Sequence, residues 1–472
     1  MTRDETDTLS NPVPEHRGKG RAVDRRPPIE AALVLHPRHG QDAALRGPEA
    51  RLEEACGLAR ALDLEIRGAE IVPIRTPRPA TLFGSGRVEE LAAQVRALDA
   101  SVVVVDDALT PVQQRNLEKA WNAKVVDRSG LILEIFARRA RTKEGKLQVE
   151  LARLSYEKSR LVRTWTHLER QRGGFGFLGG PGETQIEADR RLLTDRMVKL
   201  KKELEEVRRT RTLHRSARQK VPYPTVALVG YTNAGKSTLF NRLTEGAVLA
   251  QDMLFATLDP TLRTLKLPDG RPAILSDTVG FISDLPHELV AAFRATLEEV
   301  QEADVILHVR DISSPETAAE AKDVETVLEE LGIDAHPERM IEVWNKLDQV
   351  PQDERAGLEG RARRAHELGS ADALPVSALT GEGCEALLQA IAVRVDDDEP
   401  LDLELAASEG EALAWLYRNG RVTGRHETAE GGLQLSVRLD AQARGRFERL
   451  FPDAHTHPAD ELAGLVTAAT GT

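Results

Sequence analysis

The run TVALVGYTNAGKSTLFNRL, residues 225–243, restricts the possible folds more than any other stretch of the chain. An apolar strand, Thr225 to Val229, feeds Gly230-x-x-x-x-Gly235-Lys236-Ser237, and helix-forming residues follow at once. A strand, a glycine loop and a helix in that order belong to a parallel sheet, because a crossover helix is what returns the chain to a parallel neighbour. In such a loop successive backbone N–H groups, here from Tyr231, Thr232, Asn233 and Ala234, wrap a phosphate chain. Lys236 reaches its β/γ oxygens, and the Ser237 hydroxyl ligates Mg²⁺.

The loop alone does not select a base, and four downstream pieces do. ILSDTVGF ends an apolar strand with Asp277-Thr278-Val279-Gly280, where the aspartate can hold a magnesium-bound water and the glycine amide can meet a γ-phosphate. IEVWNKLD ends another strand with Asn345-Lys346-Leu347-Asp348. A carboxylate at Asp348 can accept from guanine N1–H and the exocyclic amine, a donor pair that adenine lacks on that edge. LPVSALTG adds Ser377-Ala378-Leu379, whose backbone can meet guanine O6. Between the first two pieces lies LFATLDPTLRTL, with Phe255, Ala256, Leu258 and Asp259 around two threonines, Thr257 and Thr261, that compete as the second hydroxyl on the metal. The order and spacing of the five pieces match the G1 to G5 motifs of Ras-like GTPases.

The rest of the chain divides by pattern. Residues 1–28 are polar and proline-containing, lack the apolar stretch of a leader peptide, and are expected to form a disordered tail. Residues 29–137 alternate apolar strands (IEAALVLH, EIVPI, SVVVVDD) with helical patterns over 49–62, 88–98 and 112–121, which predicts a small α/β domain with a largely parallel sheet. Within it LFGSGRVEEL, residues 82–91, reads as a turn capping a helix rather than a phosphate loop. A basic helical hairpin with a Gly-rich tip is expected over 138–220, the GTPase domain over 221–395, and a small α+β domain of strand, helix, two strands and helix over 396–472. The fold class is α/β. No apolar run approaches the ~20 residues that cross a bilayer, and the two cysteines, Cys56 and Cys384, lie too far apart for a zinc or disulfide pattern, so a reducing cytoplasm is the expected location.

The net charge of −12 hides an uneven distribution: residues 138–220 carry 23 Lys/Arg against 11 Asp/Glu. A basic segment in an acidic protein points to a local surface for a polyanion. Its leucines keep helical steps in two stripes, Leu147, Leu151, Leu154, Leu161, Trp165, Leu168 and then Leu193, Met197, Leu200, Leu204, Val207. Two such helices joined at GGFGFLGG, residues 173–180, make an antiparallel hairpin about 30 Å long. That joint matches G-x-G-x-x-G, yet a basic helix rather than a buried strand precedes it, which removes the dinucleotide reading. Phe175, Phe177 and Leu178 at the end of a charged rod are expected to stack on unpaired RNA bases. Arg160, Arg163, Arg170 and Arg172 are expected to neutralise its phosphates.

GYTNAGKSTLFN, FATLDPT, DTVGFI, NKLD and SAL, with TKEGKLQVELARL and RGGFGFLGGPGETQIEADRR upstream, resemble the HflX family of the Obg-HflX GTPases over roughly residues 29–395. The resemblance implies a monomeric enzyme that binds GTP and GDP, docks on the large (50S) ribosomal subunit and its rRNA, and separates stalled 70S ribosomes. By position it favours Thr257 over Thr261, so Lys236, Thr257 and Gly280 become the expected catalytic groups and Ser237 and Thr257 the metal ligands. Gly179 stands where many relatives carry arginine. Phe281 follows Gly280 where Ras-like enzymes often place a water-orienting glutamine. The polarisation it cannot supply is assigned to the ribosome, to a rearranged switch backbone, or to a K⁺ held partly by Asn233. Rival readings are a GTP-dependent assembly factor that splits nothing, and an N-terminal domain with its own adenine-nucleotide site.

Overall fold

The computed structural model describes residues 30–40, 46–171, 181–218, 223–244, 254–255, 257–285, 297, 299–333, 338–367, 372–395, 400–406, 409–427, 432–439, 441–452 and 455–457. They build three sheets and a helical hairpin.

The first sheet is parallel, in the order β2-β1-β3-β4. Its strands are β1 (Ala31–His39), β2 (Glu65–Ile74), β3 (Val102–Val105) and β4 (Lys124–Asp127). β3 is four consecutive valines, all buried, as a strand covered on both faces requires. Between the strands run α1 (Pro48–Arg60), α2 (Ser85–Ala97) and α3 (Pro111–Trp121). Gly84 occupies the N-cap of α2, the role read for LFGSGR, and Thr110 starts α3 through a capping box with Gln113. The structure adds two elements that the alternation of apolar residues does not single out, β4 and α4 (Arg128–Arg139). Asp127 ends the first and caps the second, accepting from Gly130 N–H at 2.8 Å.

α5 (Lys143–Gln171) and α6 (Pro181–Arg218) form the hairpin. Near its root Leu147, Leu151 and Leu154 pack on Leu200, Leu204 and Val207, six of the stripe residues, and Glu150 pairs with Arg196 at 2.8 Å. Trp165 and Leu168, at the outer end of the first stripe, lie beyond the described side chains.

The central sheet has the order β10-β9-β8-β5-β7-β6, with β6 (Thr261–Lys266) antiparallel to β7 (Pro272–Asp277) and the remainder parallel. β5 (Thr225–Gly230) lies between β7 and β8 (Val305–Asp311). β9 (Met340–Asn345) and β10 (Asp372–Pro375) complete it. The third sheet is antiparallel and built from β11 (Pro400–Leu405), β12 (Arg421–Glu427), β13 (Leu433–Arg438) and β14 (His455–His457) in the spatial order β12-β13-β11-β14; its elements follow the predicted strand-helix-strand-strand-helix order with β14 added.

One apolar core joins the first two sheets. Ala32, Val34 and Phe136 from the N-terminal layer share it with Val229, Phe255, Leu258, Val279 and Phe281 from the central one. Phe136 and Phe255 meet edge-on, centroids 4.6 Å apart at 82°. Phe136→Ala removes a fully buried ring from the seam, so urea unfolding is expected to show a loss of about 3 to 5 kcal/mol. A loss under about 1 kcal/mol would mean that the two layers fold without this joint.

Candidate functional site

The carboxyl ends of β5, β7, β9 and β10 converge, as the crevice of an open α/β sheet does. After β5 the loop Tyr231–Gly235 turns into α7 (Lys236–Thr244). Gly235 has φ +91°, and a β-carbon there would stand 2.2 Å from Asn345 Nδ2, so only glycine lets the loop pass that amide. Lys236 is buried, its ammonium donating to the carbonyls of Gly230 at 3.0 Å and Tyr231 at 2.7 Å. A β-carbon on Gly280 would lie 3.0 Å from that ammonium, which brings the end of the Asp277–Gly280 turn to the mouth of the loop. Thr278 ties the turn to β5 by donating to Leu228 O, and Val279 is core.

Three oxygens gather beside Lys236. Ser237 Oγ and Thr257 Oγ1 each donate to Asp277 Oδ2 at 2.8 Å and lie 2.9 Å from each other. Asp277 Oδ1 is buried and takes no hydrogen bond from the described residues. Burial pushes the Asp277 carboxyl up from its ordinary range, while Lys236, Ser237 and Thr257 pull it down. Two hydroxyls and an unsatisfied carboxylate oxygen form the hard donor set that suits a small divalent cation. Thr261, the competing threonine, is held in β6 opposite Asp277.

The base end is built from β9 and β10. Asn345 braces the phosphate loop by donating to Ala234 O at 2.8 Å, and accepts from Ala378 N–H at 3.0 Å. Asp348 Oδ1 accepts from Ser377 Oγ at 2.6 Å, and Lys346, in the left-handed region at φ +65°, pairs with Asp311 at 2.7 Å. Leu347 is buried while Leu379 stands 67% exposed. Sequence reasoning missed the brace on this loop: Arg242 of α7 donates to Ala378 O at 3.1 Å and to Leu379 O.

Four family descriptions match consecutive stretches of the chain. They are GTP-binding GTPase N-terminal over 49–137, GTP-binding GTPase middle region over 139–218, 50S ribosome-binding GTPase over 225–346, and HflX C-terminal domain over 362–462. A curated GTPase HflX from Magnetococcus marinus is 50% identical over 442 residues, covering 92% of this chain and 98% of that protein. The chain belongs to the HflX family of GTPases. The GTPase HflX of Escherichia coli is 45% identical, covering 88% of this chain and 95% of the relative. A solved GTP-binding protein from Sulfolobus solfataricus in complex with GDP covers 78% of the chain at 25% identity and a TM-score of 0.43. As an HflX GTPase the chain binds GTP and hydrolyses it.

Other predicted residues fall differently. Asp259 turns its carboxylate away from the crevice, onto the start of α5, accepting from Arg141 N–H at 2.8 Å and Thr142 N–H at 2.9 Å. Arg160, expected at RNA phosphates, has its guanidinium held by Asp127 and Gln114 and 4.2 Å over the Tyr156 ring, at the seam between α5 and the first sheet. Arg163 and Arg170 sit on the described backbone of α5, while Arg172, Phe175, Phe177, Leu178 and Ala256 lie outside the described residues. Among the described residues no helix is long and apolar enough to cross a membrane.

Burial pulls the Lys236 ammonium down to about 8, against the attraction of Asp277. Below about pH 8 the folded protein keeps a desolvated charge that the unfolded chain holds in water, which costs stability. Between about 8 and 10.5 the folded state releases that proton first, so the cost fades as pH rises. With nucleotide-free protein, the stability gap between the parent and Lys236→Met is expected to shift toward the parent from pH 7 to 10, by up to about 3 kcal/mol. A gap independent of pH would show that Lys236 is not desolvated.

Proposed function

We propose that this GTPase acts on the large ribosomal subunit and separates stalled or stressed 70S ribosomes, with its nucleotide state controlling how the basic hairpin docks on ribosomal RNA. The observation that carries this reading is the rooting of the hairpin: α5 begins on Asp259, two residues from the hydroxyl that faces Asp277. A hairpin whose base touches the loop beside the phosphate site is suited to report that site's occupancy to RNA. The wider family description, 50S ribosome-binding GTPase, supports the same partner.

Within the site the proposed roles are divided by chemistry. The loop amides of 230–235 and Lys236 bind the β/γ-phosphates, and the Gly280 amide meets the γ-phosphate. Ser237 and Thr257 hold Mg²⁺, with Asp277 ordering its water. Bound there, the cation supplies charge neutralisation for phosphoryl transfer. Asp348 reads guanine N1–H and the exocyclic amine, while the backbone of Ala378 and Leu379 faces O6. Phe281 is 2% exposed in the interdomain core, so it orients no water. Water activation therefore falls to a ribosomal group, a rearranged switch backbone or K⁺ near Asn233, which is exposed at φ +60° on the loop.

Asp348→Asn exchanges an acceptor for an amide donor. It should weaken GTP binding by about 2 to 4 kcal/mol and raise the relative affinity for xanthosine triphosphate. Unchanged GTP affinity by calorimetry would remove Asp348 from the base pocket. Light scattering of purified 70S particles with GTP, a non-hydrolysable analogue and GDP tests the partner: release of subunits in the triphosphate states is expected. Binding without any fall in scattering would leave a GTP-dependent binding or assembly factor instead.

A further inference from the structure

Side chains of the segment before β6 divide between two neighbours. Leu254 lies against α1 at Gly57, where a β-carbon would come within 3.0 Å of it. Phe255 sits at φ +56°, a strained region for an aromatic residue, held there by its edge-on contact with Phe136. Leu258 is buried in the same core. Asp259 completes the N-terminus of α5: Oδ2 takes the amides of Arg141 and Thr142, and Oδ1 takes the Thr142 hydroxyl. Thr142 Oγ1 in turn accepts from Gly145 N–H at 3.0 Å, so the helix start is capped by two residues in relay. Thr257 alone among these side chains is directed the other way, onto Ser237 and Asp277.

Gly145 shows how close this fit is. A β-carbon at that position would stand 2.5 Å from Asp259 Oδ1, so the first turn of α5 lacks a side chain where the carboxylate approaches. An anion at a helix N-terminus is favoured by the unpaired amides and the helix dipole. Here the anion is supplied by the loop that carries the metal-facing hydroxyl.

We propose that Asp259 is a positioning residue for Thr257: it holds the loop on the root of α5 in the register that presents Thr257 to the cation. The γ-phosphate state and the docking of α5 are then one linked equilibrium. The proposal rests on the GTPase assignment of Thr257 above. Linkage makes it reciprocal, so a triphosphate that draws Thr257 to its cation tightens Asp259 on α5, and undocking α5 weakens the triphosphate more than GDP.

The test compares a slowly hydrolysed GTP analogue with GDP, both with Mg²⁺. Asp259→Ala is expected to weaken the analogue about tenfold, the size of a lost helix cap, and to leave GDP within about twofold. Gly145→Ala, which leaves Asp259 itself intact, should do the same by blocking its approach. The double variant Thr257→Ala, Asp259→Ala should bind the analogue no more weakly than Thr257→Ala alone, because one residue acts through the other. In the unmutated chain the analogue should slow hydrogen exchange at the Arg141, Thr142 and Gly145 amides relative to GDP, a readout that needs no variant to fold. Additive losses in the double variant, equal weakening of both nucleotides, or exchange indifferent to the nucleotide would each overturn the proposal. If Thr257→Ala itself spares the analogue, the metal assignment fails with it; if only the Asp259 and Gly145 variants spare it, this proposal fails alone.

Discussion

Phe255 and Phe281 face inward, onto Phe136, and the arrangement of the molecule depends on that choice. Both belong to the segments that flank the phosphate site. Here the N-terminal sheet covers them with α1 and α4, so an apolar wall replaces water on one side of the site. Edge-on aromatic contact adds roughly 1 kcal/mol beyond the area buried. Its larger effect is geometric, because a packed core has discrete arrangements rather than a continuum. A displacement of either segment must break the seam or carry α4 with it.

A polar network reinforces the seam from the phosphate loop. The Tyr231 hydroxyl takes Arg46 at 2.7 Å and Ser283 N–H at 2.9 Å and donates to Glu54. Arg128 links Glu54 to Asp106 and to Ser283 O. Against the upward push of burial, Arg128 and the Tyr231 hydroxyl hold the Glu54 carboxyl below its usual range. Burial is also the main reason that the Tyr231 phenol is raised, so it stays a neutral donor to that carboxylate. Buried ions of this kind add little net stability once desolvation is counted, but removing one partner strands the others. Their value is in register: they fix which residue of the loop meets which residue of α1 and α4.

The same packing accounts for Phe281. A glutamine there would bring an amide into the apolar seam with no partner in reach, at a cost of about 1 to 3 kcal/mol. Phenylalanine keeps the seam dry. Arg160 follows a similar logic, since a guanidinium stacked on Tyr156 and paired with Asp127 secures α5 to the first sheet.

The sequence determined the central sheet and the nucleotide crevice because both are set by short-range rules. Glycines at Gly230 and Gly235, a lysine and a serine at fixed spacing after an apolar strand, and Asp277 and Asp348 at strand ends are local requirements that leave a local record. The lower parts of the hairpin stripes, Leu147 to Leu154 against Leu200 to Val207, were legible for the same reason. β4 and α4 were not, because a four-residue strand running straight into a helix breaks neither period for long enough to register. The direction of Asp259, the burial of Phe281 and the engagement of Arg160 were decided only in three dimensions. Each depends on what a segment more than 30 residues away places opposite it. A carboxylate two residues from the threonine that bonds Asp277 looks the same in sequence whether it faces the nucleotide or the amides of Arg141 and Thr142, and only the fold brings that helix start within 3 Å of it.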